Sequence, residues 1–206
     1  MAGNRTPKGK IVRRFGVNIY GQQKFDRLLK KKKHAPGKTA KSRVNGKSSD
    51  YGKQLTEKQK FRFTYGISER QFRNIYEKAK KMRGITGNKM IELQESRMDN
   101  VVYRLGWAAT RAQARQMVSH KHFMLNGISH NIPSSFLKPG DIITVKDKKG
   151  IKELIRQNLA SPAVQKTGWM ENDTDNLKGI FKAVPGIEEA QPAGNIQIVV
   201  EFYSRR

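Results

Sequence analysis

Arg111 and Arg115 stand four residues apart in the stretch TRAQARQMVSHKHFMLNG. In a helix this spacing places both side chains on one face, a single turn apart. A guanidinium group is planar and holds a phosphate through two parallel hydrogen bonds, so this face predicts contact with a polyanion. A solvated basic surface is the simpler interpretation of any such pair. Density favours anion binding, because the 25 residues from Arg97 to Lys121 hold five basic side chains and one acid, Asp99.

Enzyme chemistry has few candidate residues in this sequence. The chain has no cysteine, no G-x-S-x-G segment and no P-loop for phosphate. Its four histidines are His34, His120, His122 and His130, and no carboxylate cluster lies near positions 120 and 122. Contact with phosphate or an ordinary surface position is therefore favoured over a metal site there. We expect no enzymatic activity, no metal site and no cofactor.

Charge is the strongest signal in the composition. Among 206 residues, 42 Lys and Arg oppose 17 Asp and Glu, which gives a net charge of +25. So large a surplus repels itself unless a polyanion lies alongside, and nucleic acid is the usual polyanion. An acidic membrane surface is the alternative, but no apolar run approaches the roughly 18 residues that span a bilayer. The first residues, MAGNRTPKGK, lack the apolar core of a secretory signal, and the absence of cysteine suits the cytoplasm.

The charge is unevenly distributed along the chain. Residues 1–60 carry +15, residues 61–156 carry +11 and residues 157–206 carry −1. We therefore expect the first three quarters of the chain to face the polyanion. The near-neutral remainder is rich in aromatic and aliphatic residues, which favours packing against protein, partly its own helical domain and partly a neighbour. The candidate protein contacts there are Glu188, Glu189, Phe202 and Tyr203.

Residues 1–50 have the composition of a basic extended arm. They are rich in Lys, Gly, Ser and Pro and show little hydrophobic periodicity, which is typical of a solvated, disordered tail. Apolar residues such as Ile11, Val12 and Phe25 nevertheless interleave with the cations, which favours an arm that orders on a partner. The basic candidates for nucleic-acid contact in it are Arg13, Arg14, Lys30, Lys31, Lys32 and Lys33.

From residue 51 the hydrophobic pattern becomes helical. Three expected helix starts place a hydroxyl residue three positions before Gln: TEKQ at 56–59, SERQ at 68–71 and TRAQ at 110–113. In each, the hydroxyl accepts from the third helical amide while Gln reaches back to the N–H of the cap residue. Gly66, Gly84 and Gly106 are expected helix ends, and further helices are predicted over 88–95 and 98–105. The helix after Ser68 is expected to bury Phe72, Ile75, Tyr76, Ala79 and Met82; basic residues expected outside that core are Arg62, Arg70 and Arg73.

After His122 the pattern changes to short strands. Asn126-Gly127 between two apolar runs is the strongest short hairpin signal. Pro139-Gly140 predicts a turn that leads into a strand over 141–145, followed by a short helix over 152–160 and two more strands within 164–184. The tail is ambiguous, because residues 196–203 fit the period of a strand and that of a helix.

Residues 97–145, RMDNVVYRLGWAATRAQARQMVSHKHFMLNGISHNIPSSFLKPGDIITV, resemble the small helix–helix–hairpin RNA-binding module named after bacterial ribosomal small-subunit protein four. The segments DYGKQLTEKQKFRFTYGISERQF at 50–72 and IVVEFYSRR at 198–206 resemble the rest of that ribosomal protein. Together the likeness extends from about residue 10 to the end of the chain. The sequence is thus identified as a member of that family, in a cysteine-free and zinc-less form.

The resemblance implies a structural ribosomal protein of the cytoplasmic small subunit. It would bind 16S rRNA early, nucleate the subunit body by clamping a multi-helix junction, border the mRNA entry path, touch small-subunit protein five and influence translational accuracy. No membrane partner and no homo-oligomer are expected. Carried onto this sequence, the module's RNA contacts fall on Arg97, Arg104, Thr110, Arg111, Gln113, Arg115, His120 and Lys121. Since duplex RNA hides its base edges, recognition of shape and backbone is expected.

The resemblance also implies an α+β fold in two parts. A mainly helical domain would come from residues 51–95, completed by 184–206 with a C-terminal helix, and the small α+β RNA-binding module would be inserted at 96–183. The sequence departs from many relatives in lacking the four cysteines that hold zinc, and in having Lys121 where relatives often have glycine. Lys121 would then occupy a left-handed helix cap, where a side chain is disfavoured.

Three other functions are alternatives for a sequence of this composition. An RNA-modifying enzyme with the same module would need a catalytic domain, which no segment offers. A stand-alone RNA-binding chaperone or regulator would not need the long N-terminal half. A DNA-binding protein would be distinguished by comparing rRNA with duplex DNA of equal length.

Overall fold

The computed structural model describes residues 6–37, 49–160 and 167–205. It divides into two compact units, the first made from Met1–Gly87 and Pro192–Arg206 and the second from Asn88–Gln191. The sequence predicts these divisions at residues 96 and 184. The second unit begins earlier because Glu95, at the end of a helix that starts at Thr86, binds side chains of that unit.

Helices and short strands follow one another in the order expected of an α+β protein, and the predicted class is confirmed. In chain order the elements are α1 (Lys8–Phe15), α2 (Gln23–Lys31), α3 (Asp50–Tyr65), α4 (Glu69–Lys80), α5 (Thr86–Glu95), α6 (Met98–Arg104), α7 (Arg111–Ser119), β1 (Phe123–Leu125), β2 (Ile128–His130), β3 (Ile142–Val145), α8 (Lys149–Ala160), β4 (Met170–Asp173), β5 (Lys178–Phe181), α9 (Ile187–Ala190) and α10 (Ile196–Ser204). None of the helices in the described part of the chain is long and apolar enough to cross a bilayer.

The N-terminal segment is helical where an extended arm was expected. Ile11 and Val12 of α1 and Phe25 of α2 are buried together in a small core. The ring of Phe15 lies 5.9 Å from that of Phe63, so the chain itself covers the apolar residues of this segment. These residues lie on the apolar faces of two short helices. A partner is not needed to bury those faces. Residues 1–5 and 38–48 of the expected arm lie outside the described residues.

Two of the three predicted helix starts are confirmed, at Ser68 and Thr110. Ser68 accepts from the Gln71 amide at 3.3 Å, and the Gln71 side chain accepts from the Ser68 N–H at 3.4 Å, as predicted. The predicted start at Thr56 is wrong, because α3 begins after Ser49 and the Thr56 hydroxyl donates to the Gly52 carbonyl at 2.7 Å inside the helix. A threonine within a helix bonds the preceding turn in this way. Helix α4 ends at Lys80, so Met82 lies beyond it and is exposed.

The C-terminal segment is a helix, as the resemblance implied. Asn195 caps α10 by accepting from the Gln197 amide at 2.9 Å, and α10 packs on α3. Its Tyr203 stacks on Tyr76 with ring centroids 5.0 Å apart. Burial of one apolar face of α10 against α3 selects helix over strand.

The second unit contains a five-stranded antiparallel sheet in the order β2-β1-β3-β5-β4. The predicted hairpin is confirmed, with Asn126 and Gly127 at φ 49° and 82° between β1 and β2. Positive φ at both positions is what a two-residue turn of this twist requires. The core on the sheet includes Trp107, Phe123 and Phe181, which are fully buried. Helices α6 and α7 pack on each other and carry most of the predicted site.

Candidate nucleic-acid interface

A buried carboxylate holds two of the predicted arginines. Arg97 donates from Nε to Asp99 Oδ1 at 3.0 Å and from Nη2 to Oδ2 at 2.9 Å. Arg115 donates from Nε and Nη2 to the same Oδ2 at 2.8 and 2.6 Å. The Arg97 and Asp99 side chains are 4% and 5% exposed, while that of Arg115 is 23% exposed. Arg97 is therefore an internal residue of the site, and its expected direct contact with RNA is corrected to a supporting position beneath Arg115.

A second carboxylate holds the next pair of polar side chains. Glu95 accepts from Arg104 Nε and Nη2, each at 2.9 Å, and from Asn100 Nδ2 at 2.6 Å. Arg104 also donates to the Ala190 carbonyl at 2.7 Å. The Glu95 side chain is fully buried and that of Arg104 is 14% exposed. Arg104 is thus committed to the interior of the second unit, like Arg97.

Arg111 is oriented by the Asn100 side-chain amide and the Tyr103 ring. Its Nε donates to Asn100 Oδ1 at 2.7 Å, and its guanidinium carbon lies 4.5 Å from the centroid of the Tyr103 ring. Stacking on an aromatic face leaves a guanidinium its charge and fixes its plane. Asn100 consequently links Arg111 to Glu95, and hence to Arg104, in one chain of hydrogen bonds.

This set of four arginines and two carboxylates, the arginine network, keeps a net charge of +2. Arg111 and Arg115 are both partly exposed and lie on one face of α7. Preorganised guanidinium groups lose less freedom when they meet a phosphate than mobile ones do. The geometry is therefore suited to hold an anion along α7, with Arg97 and Arg104 beneath it.

Thr110 and Gln113 cap α7. The Thr110 hydroxyl accepts from the Gln113 amide at 3.1 Å, as predicted. The Gln113 side chain accepts from the Ala109 N–H at 2.8 Å, one residue before the cap residue that was expected to donate. Both side chains are engaged within the protein, so they orient the start of α7.

Cationic residues cluster where α7 ends. His120 and Lys121 are exposed, and their expected position at the end of the helix is confirmed. Lys121 has φ 59°, so it occupies the left-handed region that the glycine of many relatives would fill. The rings of His120 and His122 lie 5.9 Å apart. Within the described residues no group of three His, Cys, Asp or Glu could hold a metal ion.

The other predicted basic residues lie in the first unit, where some are exposed and others are hydrogen-bonded within the chain. Arg14, Arg70, Arg73 and the lysines from Lys30 to Lys33 are exposed. Arg13 donates to the carbonyls of His34 at 3.0 Å and Ala35 at 3.4 Å, and Arg62 donates to Glu69 at 3.3 Å. The exposed group is the one that offers its charge to a polyanion most directly.

The predicted protein-contact residues divide in the same way. Glu188 and Glu189 are exposed on α9, the short helix between β5 and α10. Phe202 and Tyr203 are 3% and 8% exposed within the first unit, so of the two expected surroundings they have the chain's own helical domain and not a neighbour. Tyr203 instead donates to Glu69 at 2.8 Å, and burial together with this bond raises the pKa of Tyr203 above its usual range.

Sequence reasoning missed the residues that orient the arginines. Glu95, Asn100 and Tyr103 lie in or just before residues 97–145, the segment that resembles the RNA-binding module. No spacing rule connects them with arginines 8 to 11 positions away on another helix. The R-x-D spacing of Arg97 and Asp99 was the one visible signal. His122, Lys146 and Lys148 were also missed as a group, because they meet only when β1 pairs with β3.

Comparison with known proteins gives family matches over most of the chain. Residues 3–95 match the family described as "Ribosomal protein S4/S9 N-terminal domain". Residues 96–143, which contain the arginine network except Glu95, match the family described as "S4 domain". The two matches adjoin, so the candidate interface lies at the start of the second.

Curated relatives match over nearly their full length. The chain is 54% identical over 201 residues to small ribosomal subunit protein uS4 of Treponema denticola, with 98% of each chain covered. It is 50% identical over 198 residues to uS4 of Treponema pallidum, covering 96% of this chain and 97% of the relative. It is 48% identical over 201 residues to uS4 of Borreliella burgdorferi, covering 97% and 96%.

Proposed function

Because this chain belongs to the uS4 family of small ribosomal subunit proteins, we propose that it is a primary binder of 16S rRNA that clamps a multi-helix junction and so nucleates the small-subunit body. The family makes it a structural, rRNA-binding component of the cytoplasmic small subunit and not an enzyme.

The arginine network is the observation that carries the proposal. Asp99 and Glu95 are almost fully buried, and each holds an arginine through two or more hydrogen bonds. Burying a charged pair costs desolvation energy that good hydrogen-bond geometry only offsets, so these pairs are better explained by the fixed positions they give the arginines than by added stability. Holding Arg111 and Arg115 in fixed positions on α7 supports recognition of RNA by shape and backbone.

The first unit supplies a separate contact. Its exposed cations on α2 and α4 include Lys30, Lys31, Arg70 and Arg73. A protein with basic faces on two units can engage two RNA helices, and such a protein holds a junction more firmly than one face alone. This supports clamping over simple decoration of one duplex.

Protein partners and accuracy are proposed on a different surface. Glu188 and Glu189 are exposed acids in a region whose net charge is near zero, which suits a protein partner better than phosphate. We place the contact with small-subunit protein five and the influence on decoding here, and the mRNA entry path on the basic surfaces.

A stand-alone chaperone remains the alternative function, but the relatives align over both units, including the N-terminal half that such a protein would not need.

Order-of-addition binding tests the proposal. The purified chain is added to protein-free 16S rRNA, and protection of the RNA is mapped by chemical footprinting, with duplex DNA of equal length as the control. Early binding predicts protection at one junction without any other small-subunit protein. Protection that requires other proteins, or equal affinity for the DNA, would contradict the proposal.

A further inference from the structure

A second group of basic side chains lies at the other end of α7. In the pairing of β1 with β3, Phe123 stands opposite Val145, so the next pair outward is His122 and Lys146. The Lys146 amide donates to the His122 carbonyl at 2.9 Å, which continues the pairing by one residue. Side chains of directly opposite residues project on the same side of a sheet, so an imidazole and an ammonium group are neighbours here.

Two further groups complete the cluster. The His120 ring, at the end of α7, lies 5.9 Å from the His122 ring. Lys148 follows in the turn after β3, where its amide donates to the Lys146 carbonyl at 2.8 Å. We infer that His120, His122, Lys146 and Lys148 form a phosphate site separate from the arginine network, which takes one backbone phosphate of RNA and gains a proton on His122 when it does. This inference rests on the proposed rRNA binding.

The acid next to these basic groups is paired with a lysine outside the cluster. Asp147 lies between the two lysines in sequence, but it accepts from Lys152 of α8 at 2.7 Å. Lys146 donates to the neutral Ser129 hydroxyl of β2 at 2.6 Å, which positions its charge without cancelling it. His130, also on β2, contacts Ser135 Oγ at 2.5 Å and the Ile132 carbonyl. Like charges brought side by side destabilise the free protein, and a bound anion relieves that repulsion.

His122 is the member that responds to the anion. Its Nδ1 is buried without a hydrogen-bond partner. Burial, followed by the charges of Lys148, His120 and Lys146, holds the pKa of His122 below its ordinary value, and Lys121 adds a further cation beside it in sequence. The free protein therefore keeps His122 neutral near pH 7. A phosphate among these groups reverses the field and raises the pKa, so binding takes up a proton.

Proton linkage distinguishes this site from general basic attraction. The affinity of the full chain for 16S rRNA is measured by filter binding from pH 5.5 to 8, and proton uptake by calorimetry in two buffers of different ionisation enthalpy. We expect affinity to rise as pH falls, by a factor of at most about ten per pH unit for one proton. His122→Gln should remove most of that dependence while retaining binding at pH 8.

The lysines are tested through salt. Lys146→Ala with Lys148→Ala should lower affinity and reduce the log–log salt slope by about 0.7–0.9 for the one phosphate lost. Lys182→Ala is the matched control, because Lys182 lies on the same unit but is ion-paired with Glu171 at 2.9 Å. Thermal melts and the imidazole NMR signals of the free variants establish that each one folds.

The outcomes separate the two claims. Unchanged affinity, slope and proton uptake in these variants, with normal binding by the parent chain, would overturn the phosphate site alone. Failure of the parent chain to bind 16S rRNA at every pH would overturn the proposed function as well. Loss of proton uptake with His120→Ala but not with His122→Gln would also refute the assignment of the proton.

Discussion

The Arg115 guanidinium binds a single oxygen of Asp99 through both Nε and Nη2, at 2.8 and 2.6 Å. The same oxygen accepts from Arg97 at 2.9 Å, so a buried carboxylate joins the exposed arginine to an internal one. Stability and the proposed RNA contact therefore depend on the same acid, and changes to the three residues have different expected consequences.

Asp99→Asn should destabilise the protein by about 3–5 kcal/mol, because it leaves the buried Arg97 charge without a counter-charge. Urea unfolding measures the loss, and Asp175→Asn, at an exposed acid of the same unit, is the control. A loss no larger than that of the control would mean that Arg97 is compensated by another group.

Replacing both Arg111 and Arg115 with Gln should weaken binding to 16S rRNA and lower the log–log salt slope by about 1.4–1.8, or 0.7–0.9 for each phosphate. Glutamine is chosen over glutamate because a carboxylate at position 115 would face Asp99 and confuse stability with affinity. Full binding strength in the double variant, with an unchanged circular dichroism spectrum, would show that this face of α7 does not contact the RNA.

Lys121→Gly should raise the free energy of unfolding of the free protein by about 0.4–1 kcal/mol, because it relieves a side chain at φ 59°. The same change removes a cation and should weaken rRNA binding. Lys138→Gly, at an exposed lysine before the Pro139-Gly140 turn, controls for loss of charge. A lower melting temperature for Lys121→Gly would contradict the prediction.

Glu69 should make the first unit sensitive to acid. Partial burial raises the pKa of Glu69, but hydrogen bonds from Lys58, Tyr203 and Arg62 outweigh it and the net pKa is lowered. The folded state thus binds this proton less readily than the unfolded state does. Its stabilising contribution is present above the unfolded value, about 4.3, and is lost as pH falls through the lower folded value.

Glu69→Gln should therefore lower stability at pH 7 by about 1–2 kcal/mol, a range kept small because the side chain is 42% exposed. It should also flatten the dependence of stability on pH below about 4.3. Denaturant titrations between pH 3 and 7 measure both effects. Glu77→Gln, on the exposed side of the same helix, is the control, and equal curves for the two variants would refute the prediction.

Glu188→Lys with Glu189→Lys should leave rRNA affinity intact or slightly higher, because the change adds positive charge on the exposed side of α9 and leaves the Ala190 carbonyl that Arg104 binds in place. Misreading of a reporter codon should change, since the proposed protein contact would meet the wrong charge. Glu153→Lys, at an exposed acid on α8, serves as the control. Lost rRNA affinity with normal misreading would contradict this division of surfaces.

Features whose causes lie within a few residues are predictable from the sequence. The Ser68 cap and the Asn126-Gly127 hairpin were predicted from the residues themselves, because a cap or turn is specified by side chains and backbone angles that are neighbours in the chain. The left-handed position of Lys121 was predicted from the resemblance, since many relatives have glycine there. The basic character of the second unit was equally plain, since charge is a property of composition. Resemblance extended these local signals to the α+β class and to RNA binding.

Tertiary structure alone decided how the charged residues divide between interior and surface. Arg97 and Arg115 look alike in the sequence, yet one is buried under Asp99 and the other is partly exposed. Periodicity allowed strand or helix for residues 196–203 until packing on α3 selected the helix. His122 and Lys146 become neighbours through strand pairing across 24 positions. Burial and pairing of this kind depend on groups distant in the chain, whose electrostatic and packing energies no local pattern records.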